Sequence, residues 1–226
     1  MQVLVLSTPE IAAEFRQKFT SSANYTFIEN YNELEKHLPE TQVVFDFLLA
    51  DEPLRLAHYA DKENLTVFCN AVKMQLAQLA LNVENLACNL IGLNGMPTML
   101  NRQFLEVSLL HAHAITKLEE ICKALGTEYL VVEDRVGMVT PRIIFMIINE
   151  ACYTLQEGTA TVRDIDLGMK LGTNYPFGPF EWADKIGIKN VYETLAAVYE
   201  DTKDERYKIC PLLKTKYLKN ETFGEF

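Results

Sequence analysis

The chain has 226 residues, 49% of them hydrophobic, enough for one large domain or two modest ones with a proper core. Its formal net charge of -10 repels a nucleic-acid backbone, so no nucleic-acid partner is expected. No apolar run approaches the roughly 20 residues needed to span a bilayer, and no membrane partner is expected. The apolar start MQVLVL has no basic lead-in and no small-residue cleavage site, so it reads as a buried strand rather than a signal peptide. A cytoplasmic, reducing location is the expectation. Cys69, Cys88, Cys122, Cys152 and Cys210 lie too far apart for a close metal-type pair and read as free thiols.

In chain order, Val3–Leu6 is a short continuous apolar run, the pattern of a strand covered on both faces. Pro9 then opens a helix, with helical periodicity over Ile11–Phe19. Tyr25–Ile28 reads as a second strand, Asn32–Leu38 as a short helix and Val43–Leu49 as a third strand. Leu65–Cys69 is a fourth strand, followed by a helix around Gln75–Leu81. Cys88–Leu93 and Phe104–Leu109 are further strands, residues 111–125 a helix and Tyr129–Glu133 a last strand. Strands separated by helical stretches imply βαβ units and a mostly parallel sheet. The remainder is helical: Thr140–Gln156, apolar on most faces; Asp164–Leu171, with Thr161 as N-cap; then Phe180–Lys185, Val191–Glu200 and Leu212–Leu218. The boundary falls near Val136 and Gly137, giving domains 1–136 and 137–226.

A parallel sheet that starts at the N-terminus invites a dinucleotide-binding reading. That chemistry needs glycines in the first strand-helix turn, so that the backbone can approach a pyrophosphate seated on the helix N-terminus. Laid on G-x-G-x-x-G, this turn offers Ser7, Pro9 and Ala12. Pro9 has no N–H to offer a phosphate. Glu10 favours the helix dipole and repels a diphosphate. Glu29, near the end of the second strand, is placed to hold a ribose, or is a solvated strand-end acid.

Beyond Val136 the order of features is specific. A Gly-anchored helix entry ending in Arg142 leads to Asn149-Glu150-Ala151 and Glu157-Gly158. The helix start Asp164-Ile165-Asp166, then Gly172, come next, followed by the turn Pro176-Phe177-Gly178-Pro179-Phe180-Glu181 and Ala183-Asp184. Tyr199, Asp204-Glu205-Arg206-Tyr207 and Pro211-Leu212-Leu213 close the series. This ordered set resembles the C-terminal domain of the 3-hydroxyacyl-CoA dehydrogenase family (3-hydroxybutyryl-CoA dehydrogenase-like) over most of residues 137–214. The resemblance implies an α/β fold: a shortened Rossmann-like parallel-sheet domain, then an all-α dimerisation domain of the 6-phosphogluconate-dehydrogenase C-terminal type. It also implies NAD as cofactor, an acyl-CoA-type small molecule as substrate, and a homodimer through the helical domain. Phe177, Phe180 and Trp182 read as core or interface rather than ligand-stacking residues.

The N-terminal half resembles the same family more weakly, through strand order and the stretch GLNGMPTMLNRQFLEV. Gly92 and Leu93 match the family's Gly-Leu-His run, and Glu106 stands twelve positions after Asn94, the spacing at which the family carries a His-Glu pair. The catalytic positions implied are therefore Asn94 and Glu106, with the histidine replaced. Oxidising a secondary alcohol by hydride loss needs a base for the hydroxyl proton. An amide accepts no proton near neutral pH, although it can donate a hydrogen bond. His37, His58, His111 and His113 match no family catalytic position, and the last two read as surface or cap residues.

The family's substrate-contacting Asn-Thr-Ser-Ser stretch appears as Asn70-Ala71-Val72-Lys73, and its Val-Asn-Arg as Thr140-Pro141-Arg142. The substrate-binding positions implied are Asn70, Lys73, Pro141 and Arg142. Lys73 reads as a solvated lysine at a helix start, with pairing to a CoA phosphate or a carboxylate as the other reading. The helical hairpin that closes over CoA in family members has no counterpart between Glu29 and the third strand. Two functions stay open at this stage: an NAD-linked oxidoreductase of 3-hydroxyacyl-CoA with impaired machinery, and a non-catalytic homologue acting as a binding or scaffold subunit.

Overall fold

The computed structural model describes residues 1–81 and 83–224. Two compact units divide the chain, Met1–Met138 and a second from Val139 onward.

The first unit is a seven-stranded sheet. Its strands are β1 (Gln2–Leu6), β2 (Asn24–Ile28), β3 (Val43–Asp46), β4 (Thr66–Asn70), β5 (Asn89–Leu93), β6 (Phe104–Leu109) and β7 (Glu128–Val132). The spatial order is β2-β1-β3-β4-β5-β6-β7. Every pairing is parallel except β5 with β6. That reversal follows from chain length: residues 94–103 are too short for a parallel crossover, which takes roughly a dozen residues or more. Helices α1 (Pro9–Lys18) and α4 (Ile115–Leu125) cover one face, where Phe15, Leu118 and Leu125 join Val3, Val5 and Phe45. The short helices α2 (Leu34–His37) and α3 (Leu76–Ala80) lie on the other, where Leu34, Leu56, Tyr59 and Leu76 join Leu4, Leu6 and Val44. The central strands are largely apolar because both faces are covered.

Four expected elements differ in extent. The helix expected over residues 111–125 begins at Ile115, after a 3₁₀ turn at Ala112–Ala114. The third strand ends at Asp46, not Leu49, because the Asp46 carboxylate accepts the N–H of Leu48 (3.0 Å) and turns the chain out of the ladder. The helix expected at Asn32–Leu38 is a single α turn flanked by 3₁₀ turns at Tyr31–Glu33 and Leu38–Glu40. Pro39 cannot continue it. The helix expected around Gln75–Leu81 shrinks to Leu76–Ala80, and its N-terminus is capped from a distance: Asp134 accepts the N–H of Leu76 (2.8 Å) and of Ala77 (3.1 Å). No sequence window contains that cap. All five cysteines are buried and free.

The second unit is helical: α5 (Thr140–Gln156), α6 (Val162–Thr173), α7 (Pro179–Ile186), α8 (Ile188–Thr202) and α9 (Pro211–Lys219). Within the chain, helix α5 buries Phe145, Ile148, Ala151 and Cys152 along one side. Ile143 on α5 is 56% exposed, and Leu167 and Leu171 on α6 are also exposed. Buried Asn149 ties α5 to the segment before α9, accepting the N–H of Cys210 (2.8 Å) and donating to Lys208 O (3.0 Å). Thr161 caps α6, its hydroxyl accepting the N–H of Asp164 (3.2 Å). Asp166 caps α7 across the turn, accepting the N–H groups of Phe180 (2.8 Å) and Glu181 (2.9 Å). Phe180 and Trp182 are buried, and Phe177 packs edge-on to Trp182. The motif residues of this half therefore have structural work.

Candidate active site

The carboxyl edge of the sheet carries most of the expected site positions. At the β1–α1 turn, Ser7 is buried, its N–H bonded to Ile28 O (3.2 Å) and its Oγ without a hydrogen-bond partner. Thr8, not a ligand, caps α1: its hydroxyl accepts the N–H of Ile11 (3.5 Å). Pro9 occupies the first helical turn and has no N–H. Glu10 is exposed there, and its own backbone N–H and the Thr8 hydroxyl hold its carboxyl below the usual range. Ala12 is buried in the core and offers no close backbone approach. Glu29 is exposed, one residue beyond β2. A dinucleotide diphosphate needs unspent N–H groups and no opposing charge at a helix N-terminus. Here the N–H groups of Ser7, Glu10 and Ile11 already have partners, Pro9 has no N–H, and the Glu10 carboxylate opposes the charge, so the residues present do not fit the nicotinamide dinucleotide.

The spacing between Asn94 and Glu106 is explained by register. Leu93 pairs with Val107 in the antiparallel β5–β6 ladder, which sets Asn94 opposite Glu106. The Asn94 N–H donates to Glu106 O (2.9 Å). Its side-chain Nδ2 donates to Glu106 Oε2 (3.2 Å) and contacts Met99 Sδ (3.6 Å). Asn94 is only 3% exposed, and its Oδ1 is buried without a partner. The pair thus holds a carboxylate and an amide, and the amide has no basic nitrogen to take a hydroxyl proton.

The loop between the two is held from α1, a contact the sequence did not suggest. Glu14 accepts the N–H groups of Thr98 and Asn101 (2.8 Å each). Lys18 Nζ donates to the carbonyls of Arg102 and Gln103. Thr98 has a φ of 68°, a left-handed conformation uncommon for a β-branched residue. The bond from Glu14 helps to hold it there.

Asn70, at the end of β4, uses its Oδ1 to accept the N–H of Gly95 (3.2 Å). Lys73 departs from its expected setting: its side chain is 17% exposed, its Nζ lies 3.9 Å from Asp51 Oδ1, and α3 begins only at Leu76. Lys73 is thus half-buried beside Asp51 rather than a solvated lysine at a helix start. Pro141 and Arg142 belong to the helical unit. Pro141 is buried in the first turn of α5, and Arg142 Nη1 donates to Tyr207 OH (3.3 Å). His111 and His113 are exposed with stacked rings, and neither caps a helix through its side chain.

A buried cluster at the same edge went unread in the sequence. Asp46 is fully buried and accepts hydrogen bonds from Tyr31 OH (3.0 and 3.1 Å) and Tyr59 OH (2.8 Å). Burial raises its carboxyl to about 6, against the opposing pull of the Tyr59 and Tyr31 hydroxyls. The three residues come from separate segments, so only a pairing across the sheet reveals them. Among the described residues, no three His, Cys, Asp or Glu side chains are grouped to hold a metal ion. No described helix is long and apolar enough to cross a membrane.

Residues 137–225 match the family described as 3-hydroxyacyl-CoA dehydrogenase, C-terminal domain. The chain is 41% identical over 106 residues to a 3-hydroxybutyryl-CoA dehydrogenase of Bradyrhizobium diazoefficiens, covering 47% of this chain and 36% of that protein. It is 26% identical over 204 residues to a 3-hydroxybutyryl-CoA dehydrogenase of Clostridioides difficile, covering 89% and 70%. The match to the first of these thus spans about a third of that relative's length. Its fold is similar to FadB2 of M. tuberculosis (TM-score 0.76, 17% identity, covering 100% of this chain and 98% of that one). It is also similar to (S)-3-hydroxybutyryl-CoA dehydrogenase PaaH1 of Ralstonia eutropha (TM-score 0.73, 19% identity, covering 97% and 94%). These matches support the 3-hydroxyacyl-CoA dehydrogenase family, most directly for residues 137–225, which carry its C-terminal domain.

Proposed function

We propose that this chain is a family member whose redox chemistry is impaired, and that it acts chiefly as a non-catalytic binding or scaffold homologue toward acyl-CoA-type ligands in the cytoplasm. The observation that carries the reading is the pairing of buried Asn94 with half-buried Glu106, in which an amide stands where a base is needed. Losing general base catalysis costs about 100- to 10,000-fold in rate. The capped, glycine-free β1–α1 turn adds to that loss by failing to cradle the family's NAD.

A homodimer through the helical unit is part of the proposal. Exposed Ile143 on α5 and exposed Leu167 and Leu171 on α6 support it, because apolar side chains of this size favour burial against a partner. Titrating the purified chain with NADH, with and without acetoacetyl-CoA, tests the first claim by fluorescence and absorbance. The expected result is no NADH consumption; steady consumption overturns the reading. Light scattering on a size-exclusion column tests the second, with a dimer expected and a clean monomer counting against it.

A further inference from the structure

In doubly wound sheets a nucleotide lies in the crevice outside the carboxyl ends of the strands, where neighbouring connections leave toward opposite faces. Here that point lies between β1 and β3. The chain leaves β1 into α1, which packs with Val3 and Val5. It leaves β3 toward Leu49, Leu56 and Tyr59, which pack with Leu4 and Leu6. Phe47 stands at this mouth, its N–H bonded to Leu6 O (2.9 Å).

The ring of Phe47 turns back into the α1 face and is only 7% exposed. It packs edge-on to Phe15, with centroids 6.3 Å apart, and beside Phe45 at 6.5 Å. On its far side it lies against Gly95, where an added Cβ would come within 2.6 and 2.7 Å of ring carbons Cδ1 and Cε1. Gly95 follows Asn94 directly, so the ring fills the space between the end of β3 and the loop that begins the altered catalytic pair. The opposite side is tied as well. Tyr31 follows β2 and Asp46 ends β3, so their hydrogen bond passes over the end of β1, which lies between those strands.

We infer that Phe47 is a built-in plug: its ring occupies the nucleotide crevice of the sheet, and the bare backbone of Gly95 is the seat that admits it. This rests on the reading that the chain lacks the family's cofactor chemistry and extends it from a poor phosphate turn to a filled ring site. A flat aromatic group of nicotinamide size is what the cleared space would accept.

The test is a ¹⁵N-resolved NMR titration of the full chain, with NADH and separately with free nicotinamide, following the amides of Ser7, Phe47 and Gly95. Wild type and Phe47→Leu should show no saturable shift at these amides. Phe47→Ala should bind nicotinamide at least tenfold more tightly than wild type, with the shifts centred on Gly95. Saturable NADH shifts at these amides in wild type overturn the plug, and so does a folded Phe47→Ala no more responsive than wild type. If Phe47→Ala does not fold, the wild-type and Phe47→Leu titrations decide alone. In the wild type, NADH binding at these amides without consumption sinks the plug and leaves the loss of redox chemistry standing, whereas consumption sinks the proposed function itself.

Discussion

Asn94 donates its Nδ2 to Glu106 Oε2 across 3.2 Å while its own Oδ1 stays buried and unpartnered. On the proposed reading, Glu106 faces an amide where a histidine would serve as the base. Restoring that group by Asn94→His should not restore a dehydrogenase. The β1–α1 turn still repels a diphosphate, and the larger imidazole must enter a site that is 3% exposed and walled by Met99. NADH oxidation with acetoacetyl-CoA should stay at background. Overpacking should cost about 1–3 kcal/mol in urea unfolding. A large gain in turnover from this single change would show that the turn accepts the cofactor after all.

Asp46 predicts a pH dependence of stability. Its carboxyl titrates at about 6 in the fold, against an ordinary 3.8, because burial disfavours the charge. The folded state therefore holds the proton more tightly than the unfolded chain. Asp46's contribution to stability should fall as pH rises from about 4 to about 6 and change little above that. The full difference is about 3 kcal/mol. Urea midpoints of wild type and Asp46→Asn between pH 4 and 7 isolate it. The wild-type curve should lose ground to the variant across that window, and parallel curves would refute the assignment.

Two glycines of the helical unit should respond in opposite directions to alanine. Gly178 has a φ of -69°, which alanine tolerates, but a Cβ there would overlap Asp166, which is pinned by the amides of Phe180 and Glu181. Gly178→Ala should destabilise by about 1–3 kcal/mol. Gly168 lies within α6 with nothing near its missing side chain. Gly168→Ala should stabilise by about 0.5–1 kcal/mol through backbone entropy. Thermal unfolding of both variants checks the contrast, and equal shifts would contradict the close approach at Asp166.

Much of this protein is legible along the chain. Apolar runs and helical periodicity are local signals, so the order of strands and helices follows from short stretches of residues. The same holds for the cap at Thr161 and the helix start at Pro9, and for the motif from Gly137 to Leu213, whose Gly178, Asn149 and Asp166 are each needed by a turn or a cap. The twelve-residue spacing of Asn94 and Glu106 is readable too, and the β5–β6 register makes them face each other. What only the tertiary structure decided depends on residues far apart in sequence. The end of β3 at Asp46, the bonds from Tyr31 and Tyr59 to it, the hold of Glu14 on residues 98–101 and the seat of Phe47 against Gly95 all arise where strands are brought side by side. Hydrogen bonds and close packing act across a few ångströms of space, and the chain sets those neighbours only by folding.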